Sequence, residues 1–519
     1  MLMENSNRSK DTNSRLLLSG LLCLLFSLFF ASGCAANPDF DALSDGAKSG
    51  QPFLVKPYLQ LGHEAGGYTI CWFCREKSDI KVSYKTPGEK KFRPAESISI
   101  REITLPTLKP CFRYSARLNQ LKEGEGFSYV IEKEGKPLFQ AEGKVYRAQA
   151  AAQGETKAKS KKSGSGKIQG EKAMTKIAVF GDCGAGSEGQ RQVAKACQKE
   201  NPDLVVIPGD VTYQRGLFSE YLTNFFPYYN SDEVKQGASM MRSIPFVPVL
   251  GNHDIALSGR GTDLDRFPDA LAYFIFWQVP LNGFDSTTGS SNTPALKGDI
   301  NRQKLFTKSA QDAFPVMANF SFNFGNSHWT VLDGNYYMNW SDEKIRAWLK
   351  NDLKSVKSGM WKFVTFHQPA FSIDAPHGKE QRMRLITDIL QDYGVDLVLC
   401  GHSHCYERTR PLTFAPLPGK TQLTMNADGT VDGSMKLDMD FDGARTTTPK
   451  GLIHIVTGAG GANLYKKDMS YHPAAGNDYM LHFMADKHSF TSLEIGEHTL
   501  SVKQITGAGE VIDQFKMSK

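Results

Sequence analysis

Apolar positions fall into two patterns along the 519-residue chain. Between residues 52 and 147 they come as short runs separated by turn residues: 68–73, 80–84, 114–118 and 127–131. Short, closely spaced strands over about a hundred residues predict a β-sandwich. From residue 174 to the end, apolar runs alternate with stretches of helical period. Residues 189–201 bring Val193, Ala194, Ala196 and Cys197 onto one face, which predicts a helix and a βαβ unit around it. Helices are also predicted at 342–354 and 379–393, and late strands at 452–457, 489–495 and 500–505. This mixture predicts an α/β second domain with helices outside its sheets, not a barrel.

Five of the apolar runs share one kind of ending. Run 177–181 is followed by Asp182, and run 204–207 leads through Pro208-Gly209 to Asp210, with Tyr213 three residues on. Run 246–251 is followed by Asn252, His253 and Asp254, run 361–366 by His367, and run 396–401 by His402, Ser403 and His404. In open α/β sheets, sites form outside the carboxyl ends of the strands. Polar residues also cap strands for purely structural reasons, but that accounts for one or two endings, not five. A carboxylate at the position of Asp210 can use both oxygens to bridge two cations. Tyr213 can return to the same spot as a phenolate.

Gly181-Asp182-Cys183-Gly184, Gly209-Asp210-Val211-Thr212-Tyr213, Gly251-Asn252-His253-Asp254, Val364-Thr365-Phe366-His367 and Gly401-His402-Ser403-His404 resemble, in order and spacing, the five motifs of purple acid phosphatases. Those enzymes are calcineurin-like metallophosphoesterases. The resemblance extends to His404-Cys405-Tyr406-Glu407-Arg408-Thr409 and to Thr457-Gly458-Ala459-Gly460-Gly461. Lys56-Pro57-Tyr58-Leu59-Gln60 is similar to the fibronectin type III-like module that precedes many of them. The resemblance implies a four-layer α/β/β/α metallophosphoesterase sandwich over 174–519, preceded by a small all-β, fibronectin type III-like domain over 52–147.

It also implies two metal ions. The first would take Asp182, Asp210, Tyr213 and His404, and the second the same Asp210 with Asn252, His367 and His402. Anionic oxygen suits a trivalent ion and imidazole a divalent transition metal. The family's Fe(III) in the first site, with Fe, Zn or Mn in the second, fits that asymmetry. The implied chemistry is direct attack by metal-bound hydroxide on a phosphate ester. His253 is expected to orient phosphate or supply a proton, and Asp254 to hold the His253 ring, as carboxylates commonly do. His377, ten residues beyond His367, is expected to face the substrate; the alternative is a surface loop histidine. His328 and His454 lie in strand-like runs and are expected to be structural. Cys183 is expected to be a bystander. Gly458–Gly461 could cradle phosphate or simply pack tightly beneath the site.

The remaining composition sets the context. A 22% charged, 40% hydrophobic chain with a formal net charge of +6 is an ordinary globular protein, so nothing in it points to nucleic acid. The lysines cluster in 148–173, rich in Ala, Gly and Ser and without interleaved aromatics, which predicts a linker rather than a nucleic-acid surface. At the start, Arg8, Lys10 and Arg15 precede an apolar run from 16 to 31 and then Ala31-Ser32-Gly33-Cys34. That order marks an export signal. Its end resembles a lipobox, which implies lipidation of Cys34, a signal over 1–34 and a tether over 35–51. The alternative is an uncleaved membrane anchor. The chain is thus expected in a bacterial cell envelope, held to the membrane by an N-terminal lipid, periplasmic or surface-exposed. Of nine cysteines, Cys23 and Cys34 belong to the signal, so at least one of the other seven is unpaired within the chain. Cys71 and Cys74 lie three apart on a predicted strand and face opposite sides, which argues against a redox or zinc pair. Two long insertions, 255–315 and 411–450, are expected to wall a substrate cleft. The function expected is an acid phosphatase acting on a small phosphorylated substrate. The alternatives are a phosphodiesterase or nucleotide pyrophosphatase on the same site, or a non-enzymatic surface-binding protein with a vestigial site.

Overall fold

The computed structural model describes residues 52–63, 67–147, 174–258, 261–417, 425–465 and 477–519. The signal with Cys34, the tether and the 148–173 linker lie outside the described residues. From 52 to 147 the chain forms two four-stranded antiparallel sheets. One runs in the order Val55–Gln60, Tyr68–Cys74, Cys111–Leu118, Ser97–Ile103, the other Arg93–Pro94, Ile80–Lys85, Phe127–Lys133, Lys136–Gly143. In the second sheet, Ile80, Val82 and Tyr84 are buried and the residues between them are not, as expected for strands covered on one face. Tyr68–Cys74 is buried along its whole length because both faces are covered. One faces the sandwich. On the other, Phe73 meets Phe276 at 4.9 Å between ring centroids and Cys71 Sγ lies 3.5 Å from Gln278 Oε1. All seven cysteines beyond the signal are buried free thiols.

The rest of the chain builds two larger sheets. The first runs Phe246–Pro248, Leu204–Ile207, Thr175–Val179, Ser489–Ile495, Thr499–Thr506, Val511–Ser518, parallel over its first three strands and antiparallel beyond. The second runs Phe320–Phe324, Ser327–Val331, Trp361–Thr365, Leu397–Cys400, Ile453–Thr457, Tyr406–Thr409, Met480–Met484, with a parallel centre. The sheets meet where their central strands end: Gly181 N–H donates to Thr457 O at 2.9 Å and the Thr457 hydroxyl to Val179 O at 3.2 Å. The helix Glu188–Glu200 covers the first sheet. It is capped by Ser187, whose hydroxyl accepts from Gln190 N–H, and it buries Val193, Ala194, Ala196 and Cys197, the predicted face. The helix Glu343–Ser355 covers the second, burying Ile345, Leu349 and Leu353. This is the expected α/β/β/α layering with an all-β region in front.

Pro52–Lys519 packs as one compact unit. Insertion 255–315 explains why, and it differs from expectation. Its helix Tyr273–Phe276 is wholly buried, with Phe276 against Phe73 and the Tyr58 hydroxyl donating to Phe276 O at 2.5 Å. It docks the front sheets onto the catalytic region and is not a cleft wall along its length. Insertion 411–450 does reach the site's surroundings: Gln381 N–H donates to Gly429 O at 3.1 Å. The helix expected at 379–393 is narrower. Lys379–Gln381 is loop, Arg382–Ile386 is 3-10 helix, and only Thr387–Asp392 is α-helix.

Candidate metal centre

Asp182, Asp210 and His402 sit two or three residues past a strand end with left-handed φ values of 55°, 48° and 71°. Few non-glycine residues hold that conformation, and here three of them stand together at the ends of the motif strands. Each follows a glycine that lets the backbones close in. A Cβ on Gly401 would stand 2.6 Å from Asp182 Oδ2, and one on Gly209 2.3 Å from His367 Nδ1. The turns aim all seven predicted ligands at one pocket.

The hydrogen-bond count there does not close without cations. The Tyr213 hydroxyl lies 2.9 Å from Asp182 Oδ1, 3.1 Å from Asp210 Oδ2 and 3.0 Å from His404 Nε2. Its single proton serves one of the three. His367 Nε2 lies 3.2 Å from Asp210 Oδ2, 3.1 Å from Asn252 Oδ1 and 3.3 Å from His402 Nδ1. One proton there again serves one of three, and buried acceptors left unmatched are costly. Ligand atoms of Asp182, Asp210 and His367 all lie within 4.8 Å of one another. A cation at each crowded point satisfies every neighbour, with Asp210 facing both.

The outer contacts fix which nitrogen each histidine presents. His367 Nδ1 donates to Pro208 O at 2.8 Å, and His404 Nδ1 to Asn463 O at 2.8 Å, leaving both Nε2 atoms for the pocket. His402 is turned the other way. Its Nε2 donates to Glu380 Oε2 at 3.2 Å, and its Nδ1 faces in. Glu380 therefore acts as the outer carboxylate of a carboxylate–histidine pair. Its grouping with His377 and His402 serves this orientation, not a third metal. Burial depresses the His367 imidazole, but Asp210 and Asp182 outweigh it and lift its pKa to about 10. Burial and His377 pull His402 down to about 4.

The remaining predicted residues divide. His253 Nδ1 donates to Gln214 O at 2.8 Å, and Nε2 points inward, 3.9 Å from Asp210 Oδ2. Asp254 does not hold that ring. It is fully buried and accepts from Gly251 N–H at 2.9 Å and Val211 N–H at 3.0 Å, clamping two motif loops together. His377 reaches the site: its ring lies 3.9 Å from that of His402, with Nδ1 on Glu380 and Nε2 on the Tyr465 hydroxyl at 2.8 Å. The glycines at 458–461 pack rather than cradle. Gly458 and Gly460 N–H donate to Cys405 O and Gly181 O, and a Cβ on Gly458 would stand 2.7 Å from Asp182 Oδ2. Cys183 is buried, with its thiol pKa pushed well up by that burial, so it is no nucleophile. His328 bonds Asn323 and Asp352, and His454 packs on Phe371, both as structural residues.

Three neighbours of the pocket escaped the sequence reading. Glu380 and Tyr465 lie in loops without period, and Tyr465 also stacks on His404 at 4.8 Å. Arg382, beside Glu380, has its Nε and Nη1 shielded and unpartnered. For Glu380 the one available signal was its spacing of three from His377.

Fold and donor set together are similar to those of calcineurin-like metallophosphoesterases. Residues 175–406 match the calcineurin-like phosphoesterase family, and purple acid phosphatases are among the chain's homologues. Purple acid phosphatase 15 of Arabidopsis thaliana is 25% identical over 252 residues, 45% of this chain and 41% of that protein, so the chain spans well under two-thirds of its length. Probable inactive purple acid phosphatase 1 of the same plant is 22% identical over 536 residues, 95% of this chain and 74% of that protein. The solved structure of purple acid phosphatase PPD1 from yellow lupin (Lupinus luteus) seeds has a TM-score of 0.58 at 15% identity, covering 89% of this chain and 74% of that one, a likeness of fold alone.

Proposed function

We propose that this chain is a phosphomonoesterase with a dinuclear metal centre, acting outside the cytoplasm. The observation that carries the reading is the proton shortage around the Tyr213 hydroxyl and His367 Nε2. Bound there, two cations would supply a clamp on the attacking and leaving oxygens of a phosphoryl displacement and lower the pKa of a bound water. Asp182, Tyr213 and His404 would hold one, Asn252, His367 and His402 the other, and Asp210 both.

The protein's own groups do the rest. His253 presents Nε2 at the pocket mouth, where it can hold the phosphoryl group or pass a proton to the leaving oxygen. His377 lies against His402, with Glu380 and Tyr465 fixing its ring. The phenolic and carboxylate donors of the first set favour Fe(III), and the imidazoles of the second favour Fe, Zn or Mn. The substrate is a small phosphate ester. The fibronectin type III-like character of the front sheets, and export with a lipid on Cys34, belong to the same reading. A fatty-acid probe that labels wild type and Cys34→Ala equally contradicts the lipid anchor. The functional test is turnover of an aryl phosphomonoester against the matching diester by the metal-loaded protein. Faster monoester hydrolysis is expected; a diester preference assigns the site to phosphodiesters, and no turnover of either with both metals bound overturns the proposal.

A further inference from the structure

Away from the metal centre, the front sheet presents two arginines with no ion-pair partner among the described residues. Arg101 and Arg113 pair directly across neighbouring strands, and Ser99 pairs with Ser115 one step further along the same face. Like charges directly opposite each other destabilise a sheet. Both guanidiniums are largely buried, Arg113 at 6% exposure. Their contacts are neutral. Arg101 donates to Ala310 O at 3.1 Å and Ile275 O at 3.3 Å, and Arg113 to Gln278 Oε1 at 3.2 Å and Cys71 Sγ at 3.3 Å. The Nε of each is shielded from water and unpartnered. Neither has an ion-pair partner among the described residues; Asp312 lines the same cavity without pairing to either. Burial, then Arg113, pulls the Arg101 guanidinium down to about 9, against the opposing effect of Asp312.

The arginines line a cavity of about 260 Å³ between the front sheet and residues 277–281 and 310–313. A second space of about 180 Å³ adjoins it, sharing His63, Ser99, Ser115 and Gln278. Ser99 is exposed, so the cavity opens along the edge strand. Two unpaired cations, two hydroxyls and a volume open to solvent describe the complement of a small tetrahedral oxyanion. Charge-assisted hydrogen bonds from guanidinium to phosphate are among the strong ones.

We propose that this interface cavity is an anion site, with Arg101 and Arg113 binding a free inorganic oxyanion of the phosphate class, Ser99 and Ser115 as further donors. Because its walls come from the front sheet on one side and the catalytic region on the other, the anion ties the two together. The site shares no residue with the metal centre and does not depend on the phosphatase reading.

The test uses the full chain at fixed metal loading, with inorganic phosphate as the probe. Thermal unfolding is followed against phosphate concentration for wild type, Arg113→Gln and Ser99→Asp, alongside turnover of an aryl phosphate. Phosphate is expected to raise the wild-type midpoint. Both variants should need about tenfold more phosphate or greater for the same rise, Arg113→Gln through loss of a charged contact and Ser99→Asp through an added repelling charge, with turnover unchanged. Ser99→Asp places a carboxylate at the exposed mouth, so it decides the matter if Arg113→Gln fails to fold. Crystals soaked in selenate should show an anomalous peak between Arg101 and Arg113. An unshifted response in Ser99→Asp, no wild-type rise, or no peak in the cavity overturns the proposal. A peak without any effect in solution, an adventitious ion only, overturns it as well.

Discussion

Gly209→Ala tests how the strand-end turns aim the ligands. Gly209 has a φ of 82°, and a Cβ there would lie 2.3 Å from His367 Nδ1, 2.5 Å from its Cγ and 2.7 Å from its Cβ. Ordinary carbon contacts begin near 3.5 Å, so the imidazole must retreat by roughly 1.2 Å. That movement breaks the 2.8 Å bond from Nδ1 to Pro208 O and swings Nε2 away from Asp210 and Asn252. A misplacement of about 1 Å costs on the order of 10²-fold in rate. Alanine in a left-handed conformation costs about 1–2 kcal/mol by itself. Gly509→Ala separates the two effects, since Gly509 has a φ of 89° and open space around it. Metal per chain, kcat/KM for an aryl phosphate and the unfolding midpoint are measured for both variants. Gly209→Ala should lose one metal and about 10²-fold in kcat/KM. Gly509→Ala should lose only stability. A Gly209→Ala protein with two metals and undiminished kcat/KM refutes the account of the turn.

Three further outcomes follow from the same geometry. His253→Ala should keep both metals and lose roughly 10²–10⁴-fold in turnover; loss of a metal on elemental analysis makes His253 a ligand instead. The iron-loaded protein should absorb in the visible through a Tyr213 phenolate, and Tyr213→Phe should lose the band; a colourless wild type full of ferric iron contradicts that ligand. Glu407 is fully buried, with Oε1 accepting from Ile373 N–H at 2.9 Å and Oε2 unpartnered, and burial together with Asp374 raises its pKa to about 8. The native state therefore keeps a proton that the unfolded chain releases above about 4.3. Glu407's contribution to stability is whole below that pH and is lost as pH rises towards 8. Glu407→Gln should raise the unfolding midpoint at pH 8 and converge with wild type near pH 4, read by thermal unfolding across pH; parallel curves contradict the assignment.

What the sequence revealed follows from which contacts are local. Each candidate ligand stands at the end of an apolar run, so Asp182, Asp210, Asn252, His367, His402 and His404 could be singled out from pattern, and the family resemblance divided them between two metals. The groups that orient the rings come from other parts of the chain: Pro208 O meets His367 from the other sheet, Asn463 O meets His404, Glu380 meets His402, and Gln214 O meets His253. Asp254 shows the limit well. Its neighbour in sequence suggested a ring partner, but the turn points its carboxylate back to Gly251 and Val211 N–H. The predicted helical face at Val193–Cys197 matched the structure because the helix is amphipathic on one sheet. Insertion 255–315 was opaque because its aromatic residues bury against the front sheets, a partner that no local period announces.

The central claim is that the pocket holds two metals through one shared carboxylate. Elemental analysis of the purified protein, paired for wild type and Asp210→Asn, tests it most directly. Two metals per chain in the wild type, with both sites weakened in Asp210→Asn and turnover lost along with them, is the result predicted. A wild type that hydrolyses phosphate esters with one metal or none, or an Asp210→Asn protein that keeps both, contradicts it.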